Sequence, residues 1–111
     1  MKIQYVIARN DTEFPQGATI AQAVHAVTLC HHEHFDAEYL NYHKEGFSMR
    51  TAVLQSSKEQ MDELIKELKN REIKHSVWIE QPENIMTAVA IYPYEKDLLK
   101  GIPELRKLKL Y

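Results

Sequence analysis

The segment GATIAQAVHA, residues 17–26, sets one amide, Gln22, and one imidazole, His25, among alanines and aliphatic side chains. On a helix of 3.6 residues per turn these two lie about 60° apart, on the side that also carries Ala18 and Ala26. A face of that kind either buries its polar groups, which then need hydrogen-bond partners, or holds them at the rim of a cleft. At a helix start beside the Pro15 to Gly17 loop, Gln22 and His25 can position a phosphate or carbonyl oxygen against free backbone amides. The structural alternative makes Gln22 the partner of Thr19 in a capping box and His25 a satisfied core histidine.

Other chemistry-bearing residues are weaker candidates. His31, His32, Glu33 and His34, with His43 further on, are of types that bind metals. Adjacent histidines on a helix point about 100° apart, and no HExxH or paired CxxC spacing is present, so no metal site is expected. Cys30 is the single cysteine. It makes no intramolecular disulfide, fits a reducing compartment and reads as a buried, inert thiol. Trp78, Tyr92 and Tyr94 can stack on bases, although aromatic residues on strands more often belong to the core.

The elements that must position these residues follow from periodicity. Lys2 to Arg9 alternates Ile3, Tyr5 and Ile7 against Gln4, Val6 and Ala8, apolar on both faces, which predicts a central strand covered on both sides. Thr19 with Gln22 predicts a helix from about Thr19 to His31. A second helical segment spans Ala37 to His43 and is closed by Gly46. RTAVLQSS reads as a strand, and Ser56 or Ser57 caps a helix whose stripe is Met61, Leu64, Ile65 and Leu68, with Asp62–Lys66 and Glu67–Arg71 as outer pairs. HSVWIEQ forms the next strand, so residues 51–80 should be a parallel, right-handed strand–helix–strand unit. EQPEN turns the chain into an antiparallel TAVAIYPY strand ended by Pro93, followed by a short EKDLLKG helix and an edge strand in LRKLKLY.

These elements amount to one domain, residues 1–111, of three-layer α/β/α class with a mixed sheet of about four principal strands. With 44% hydrophobic and 27% charged residues the chain is an ordinary globular one, not a disordered one. A formal net charge of −2 argues against a generic nucleic-acid binder. Lys96, Lys100, Arg106, Lys107 and Lys109 nevertheless make one end basic, read here as a solvated end. IQYVIA is too short and interrupted for a signal peptide, and no run approaches a membrane span, so the cytoplasm is the expected location.

The order QYVIARND, then Gly17, then AQ and HA resembles the opening of the type 2 peptidyl-tRNA hydrolases. WIEQPENIMTAVAIYPY is closer still to a eukaryotic branch of that family, and the similarity runs along nearly the whole chain. The resemblance implies a mixed α/β fold, often dimeric, that cleaves the ester joining a peptide to the terminal ribose of tRNA with neither metal nor cofactor. Peptidyl-tRNA is then the implied partner. Matched position by position, Arg9, Asp11, Gly17, Gln22, His25 and Thr87 agree with the family pattern. Glu80 stands at the family's aspartate, Asn84 at its first threonine in a shorter connecting loop, and Ala18 at its lysine. The implied catalytic set is Glu80, Thr87, Asn84 and His25, with Gly17, Ala18, Gln22, Arg9 and Asp11 around the substrate. Glu80 would orient or deprotonate a water, Thr87 and Asn84 would hydrogen-bond, and His25 is a second candidate base. An alanine cannot stabilise developing negative charge as an ammonium does, a loss of roughly 100- to 1,000-fold. The alternative is therefore a weak or inactive relative that binds tRNA or a protein partner.

Overall fold

The alternation from Ile3 to Ala8 forms β1 (Lys2–Arg9) as expected: Ile3, Tyr5 and Ile7 feed one apolar cluster, and Gln4 on the other face donates to Tyr39 of a second. The computed structural model describes residues 1–44 and 49–111. After β1 come α1 (Gln16–His34), α2 (Ala37–Lys44), β2 (Thr51–Ser56), α3 (Lys58–Asn70), β3 (His75–Glu80) and β4 (Ile85–Ile91). The chain closes with β5 (Tyr94–Glu95), α4 (Lys96–Leu99), α5 (Pro103–Arg106) and β6 (Lys109–Leu110). Gly46, expected to end the second helix, lies outside the described residues. None of the described helices is long and apolar enough to cross a membrane.

The sheet has six strands in the order β3-β4-β1-β2-β6, with β5 also on β1. The excess over four principal strands is β5 and β6, each of two residues. β1 is central, parallel to β2 and antiparallel to β4. β4 is antiparallel to β3, as the short EQPEN connection required. The expected strand–helix–strand unit forms with its two strands parallel, although they are not neighbours. β2 and β3 run the same way, but β1 and β4 lie between them, and the parallel neighbours are β1 and β2. A crossover helix fixes direction, and adjacency is left to whichever strand buries its face best. The carboxyl ends of β1, β2 and β3 therefore share one edge of the sheet, where α1 and α3 both begin.

The helical layers differ in what they rest on. Met61, Leu64 and Leu68 of α3 are fully buried against Ile7, Leu54, Val89 and Ile91, each large side chain contributing roughly 1.5–3 kcal/mol. Ser57 caps α3 through a complete capping box with Gln60. Glu67 pairs with Arg71 as expected, whereas Asp62 turns back to Lys58 and Lys66 pairs with Glu63. On the opposite face, Ala26 and Cys30 of α1 meet Ala88, Ala90, Tyr39 and Tyr92. Small residues there let α1 lie close to β3 and β4.

The start of α1 is corrected. It begins at Gln16 with Pro15 as its N-cap and no side-chain cap bond, so Thr19 and Gln22 form no capping box. Proline is tolerated there because its missing N–H is not needed at a helix start. Ala88→Val tests the alanine contact. It is expected to destabilise the domain by about 1–3 kcal/mol through overpacking, read by urea denaturation, and a neutral result would show that α1 is not closely seated.

Candidate functional site

Gln22 is only 3% exposed. A buried primary amide has two N–H donors and an acceptor oxygen to satisfy, and Gln22 finds partners on three elements. Its Nε2 donates to the Ala18 carbonyl at 3.2 Å and to Glu80 Oε2 at 3.0 Å. Its Oε1 accepts from Thr87 Oγ1 at 2.9 Å. α1, the end of β3 and the start of β4 are thereby joined by one side chain.

Strand geometry explains how Glu80 and Thr87 reach it. Ser76, Trp78 and Glu80 alternate onto the α1 face of β3, where Ser76 bonds Glu33 and Glu80 bonds Gln22. Strict alternation in β4 would send Thr87 to the other face with Val89 and Ile91. The ladder instead slips, with Trp78 opposite Ala88 but Ile79 opposite Met86, so Thr87 is the extra residue of a β-bulge. The bulge turns Thr87 toward Gln22 and Met86 toward the α3 cluster.

Glu80 is half-buried, and its two oxygens are held by different donors: Gln22 at Oε2, and Trp78 Nε1 at Oε1, 3.2 Å away. Gln22 first, then Trp78, lower its pKa below the ordinary 4.5, with the charge of His25 a smaller cause. The group is thus ionised at neutral pH, suited to holding a water or a hydroxyl and weak as a base by itself. His25 is exposed, not a core histidine, and its ring tilts over Trp78 with centroids 4.9 Å apart. It supplies an imidazole beside the carboxylate. Among the described residues no lysine or arginine forms an ion pair with Glu80, and Ala18 contributes its backbone carbonyl to Gln22. Gly17 is exposed with open space around it.

Arg9, Asp11 and Asn84 fall to one side of this cluster. Arg9 donates to Asp11 at 2.8 Å and to the Met86 carbonyl at 3.0 Å, while Asp11 accepts from the Lys58 backbone amide at the start of α3. The Arg9 side chain lowers the pKa of Asp11. Arg9, Lys58, Phe14 and Asn84 line a groove of about 520 Å³. Asn84 adopts a left-handed φ of 57° and its side chain accepts from Gln81, a conformation asparagine tolerates well. No hydrogen bond among the described residues links Asn84 to Glu80 or Thr87. The structure therefore joins Gln22, Glu80, Thr87 and His25, and sets Arg9 and Asn84 in the adjoining groove, with Asp11 bonded to Arg9.

The remaining candidates have structural surroundings. Cys30 is buried and its thiol is pushed up to about 11 by burial. His31 stacks on His43, and His34 bonds the His75 carbonyl. Tyr92 is buried and Tyr94 half-buried among core residues. At the basic end, Lys100 pairs with Asp97 and Lys107 with Glu104. Sequence reasoning treated Trp78 as a core or stacking residue and missed its bond to Glu80; the signal was its position two residues before Glu80 on the same strand face.

A buried amide joins a carboxylate and a threonine at the carboxyl edge of a mixed α/β sheet, a small set of convergent polar groups of the sort that binding and active sites use. The chain matches the family described as peptidyl-tRNA hydrolase PTH2 over residues 2–111, and it belongs to that family. It is 37% identical over 116 residues to the mouse (Mus musculus) protein named "Putative peptidyl-tRNA hydrolase PTRHD1", covering 98% of this chain and 81% of that one. The human (Homo sapiens) protein of the same name is 39% identical over 102 residues, covering 86% of this chain and 73% of the other.

Because Glu80 has a depressed pKa in the folded state, the stability it confers is present above the unfolded carboxylate pKa and is lost as pH falls through the lower, folded one. Thermal unfolding of wild type and Glu80→Gln from neutral pH downward should show a gap that is constant above that range and closes on acidification. A gap independent of pH would show that the Gln22 and Trp78 bonds do not favour the ionised form.

Proposed function

We propose that this chain hydrolyses peptidyl-tRNA at the ester between the peptide and the terminal ribose, with Glu80, Gln22, Thr87 and His25 at the scissile carbonyl. The observation that carries the reading is the direct bonding of Gln22 to both Glu80 and Thr87, residues far apart in the chain that occupy matching positions of the family pattern. In this reading Glu80 orients a water and His25 accepts its proton as the water oxygen adds to the carbonyl carbon. The carbon–oxygen bond to the ribose then breaks, the proton passes to the departing ribose oxygen, and the peptide leaves as its carboxylic acid. Gly17 and Ala18 lie at the substrate's approach to α1, and Arg9 and Asn84 line the groove beside it, with Asp11 bonded to Arg9. No cofactor enters this scheme, and it is set in the cytoplasm, where charged tRNA is used.

A second reading is favoured by one observation: Ala18 stands at the family's lysine, and no lysine or arginine among the described residues pairs with Glu80. The chain would then bind tRNA or a protein partner with little turnover. Single-turnover release of peptide from N-acetyl-phenylalanyl-tRNA separates the two. Hydrolysis predicts release that falls about 100-fold or more in Glu80→Gln. Release at the uncatalysed rate with binding retained would leave the binding reading alone.

The same reading includes a homodimer. An apolar groove of about 490 Å³ runs between α1 and β1–β2, floored by Val6, Ala8 and Val53. Ile20 and Val24 project beside it on α1, each 58% exposed. A ridge and a furrow on one helix are self-complementary about a two-fold axis, which favours a second copy as the occupant. Light scattering after gel filtration should give a dimer for wild type and a monomer for Val24→Glu; a monomeric wild type would overturn this.

A further inference from the structure

We propose that Trp78 is a positioning residue for Glu80, its indole N–H fixing one carboxylate oxygen while Gln22 fixes the other. The inference rests on Glu80 being the group that orients the attacking water. A carboxylate held by one donor can pivot about its last torsion and sweep its free oxygen through a wide arc. Held at Oε2 by Gln22 at 3.0 Å and at Oε1 by Trp78 at 3.2 Å, it has one orientation. The remaining lone pairs then point in set directions for a water or a substrate hydroxyl.

The fold makes Trp78 a firm post for this bond. It lies on the same face of β3 as Glu80, just before the slip in the ladder between Trp78 and Ile79. Its ring packs on the α1 cluster and is covered by His25, with centroids 4.9 Å apart and planes at 37°. His25 reports back on the same carboxylate, being the titratable neighbour whose charge is felt at Glu80. The indole thus touches both candidate groups and sets their spacing, without needing to touch substrate. Misplacement of a reacting group by about 1 Å costs roughly 100-fold in rate, so an orienting bond of this kind has a measurable effect.

Trp78 is the only tryptophan in the chain, so biosynthetic replacement by benzothienylalanine changes one site, keeping the ring's shape and removing the N–H. Trp78→Phe is the genetic counterpart. Two measurements apply to the intact protein. The first is an NMR titration of the Glu80 carboxyl without substrate: loss of the N–H is expected to raise its midpoint. The second is hydrolysis of N-acetyl-phenylalanyl-tRNA: kcat should fall about 10- to 100-fold with little change in KM. An unmoved Glu80 midpoint in a folded benzothienylalanine protein overturns the proposal. If the wild type does not hydrolyse the ester, the proposed function fails, and the carboxyl titration still decides whether Trp78 holds Glu80.

Discussion

One buried side-chain amide organises the functional end of this molecule. Taking a primary amide out of water costs several kcal/mol unless its donors and acceptor are matched. Gln22 meets that demand only when α1, β3 and β4 stand in their observed relation, since its partners come from all three. The amide therefore acts as a gauge of assembly. If any one element shifts, a polar group is left buried without a partner, and the site loses its arrangement together with part of its stability.

Two features let the gauge close. The alanines at 26, 88 and 90, all without exposed surface, bring α1 near enough for a side chain of glutamine length to reach both strands. The bulge opposite Trp78 and Ile79 then turns Thr87 onto the helix side. A regular β4 would place a hydroxyl among Ile7, Val89 and Ile91, where it has nothing to bond. Local irregularity in the ladder is thus what permits an otherwise apolar strand to carry a site residue.

Much of the architecture was legible from period and punctuation. β1, β3, the α3 stripe and the Ser57 cap follow from alternation, helical spacing and a capping sequence, because these are local preferences. Strand adjacency was not legible, since burial across the whole sheet decides that β4 lies between β1 and β3. The Thr19–Gln22 pair shows how a valid local signal loses to tertiary demand: its pattern fits a capping box, but the glutamine is drawn inward by Glu80 and Thr87. Family resemblance pointed to Glu80 and Thr87, and the alanine-rich helix face drew notice to Gln22. Nothing in the residue types announced the bulge, apart from one threonine in the apolar run TAVAI. The bond from Trp78 to Glu80 was within reach of strand alternation, and the bulk of the indole argued for a core role instead.

The shared direction of β1, β2 and β3 has an electrostatic consequence. With α1 and α3 both starting at that edge, two helix macrodipoles present their positive ends on the same side of the molecule. Asp11 and Glu80, the acidic groups gathered there, sit where a negative charge is welcome. A chain of formal net charge −2 can in this way hold carboxylates at one edge, where the helix N-termini offset part of their charge.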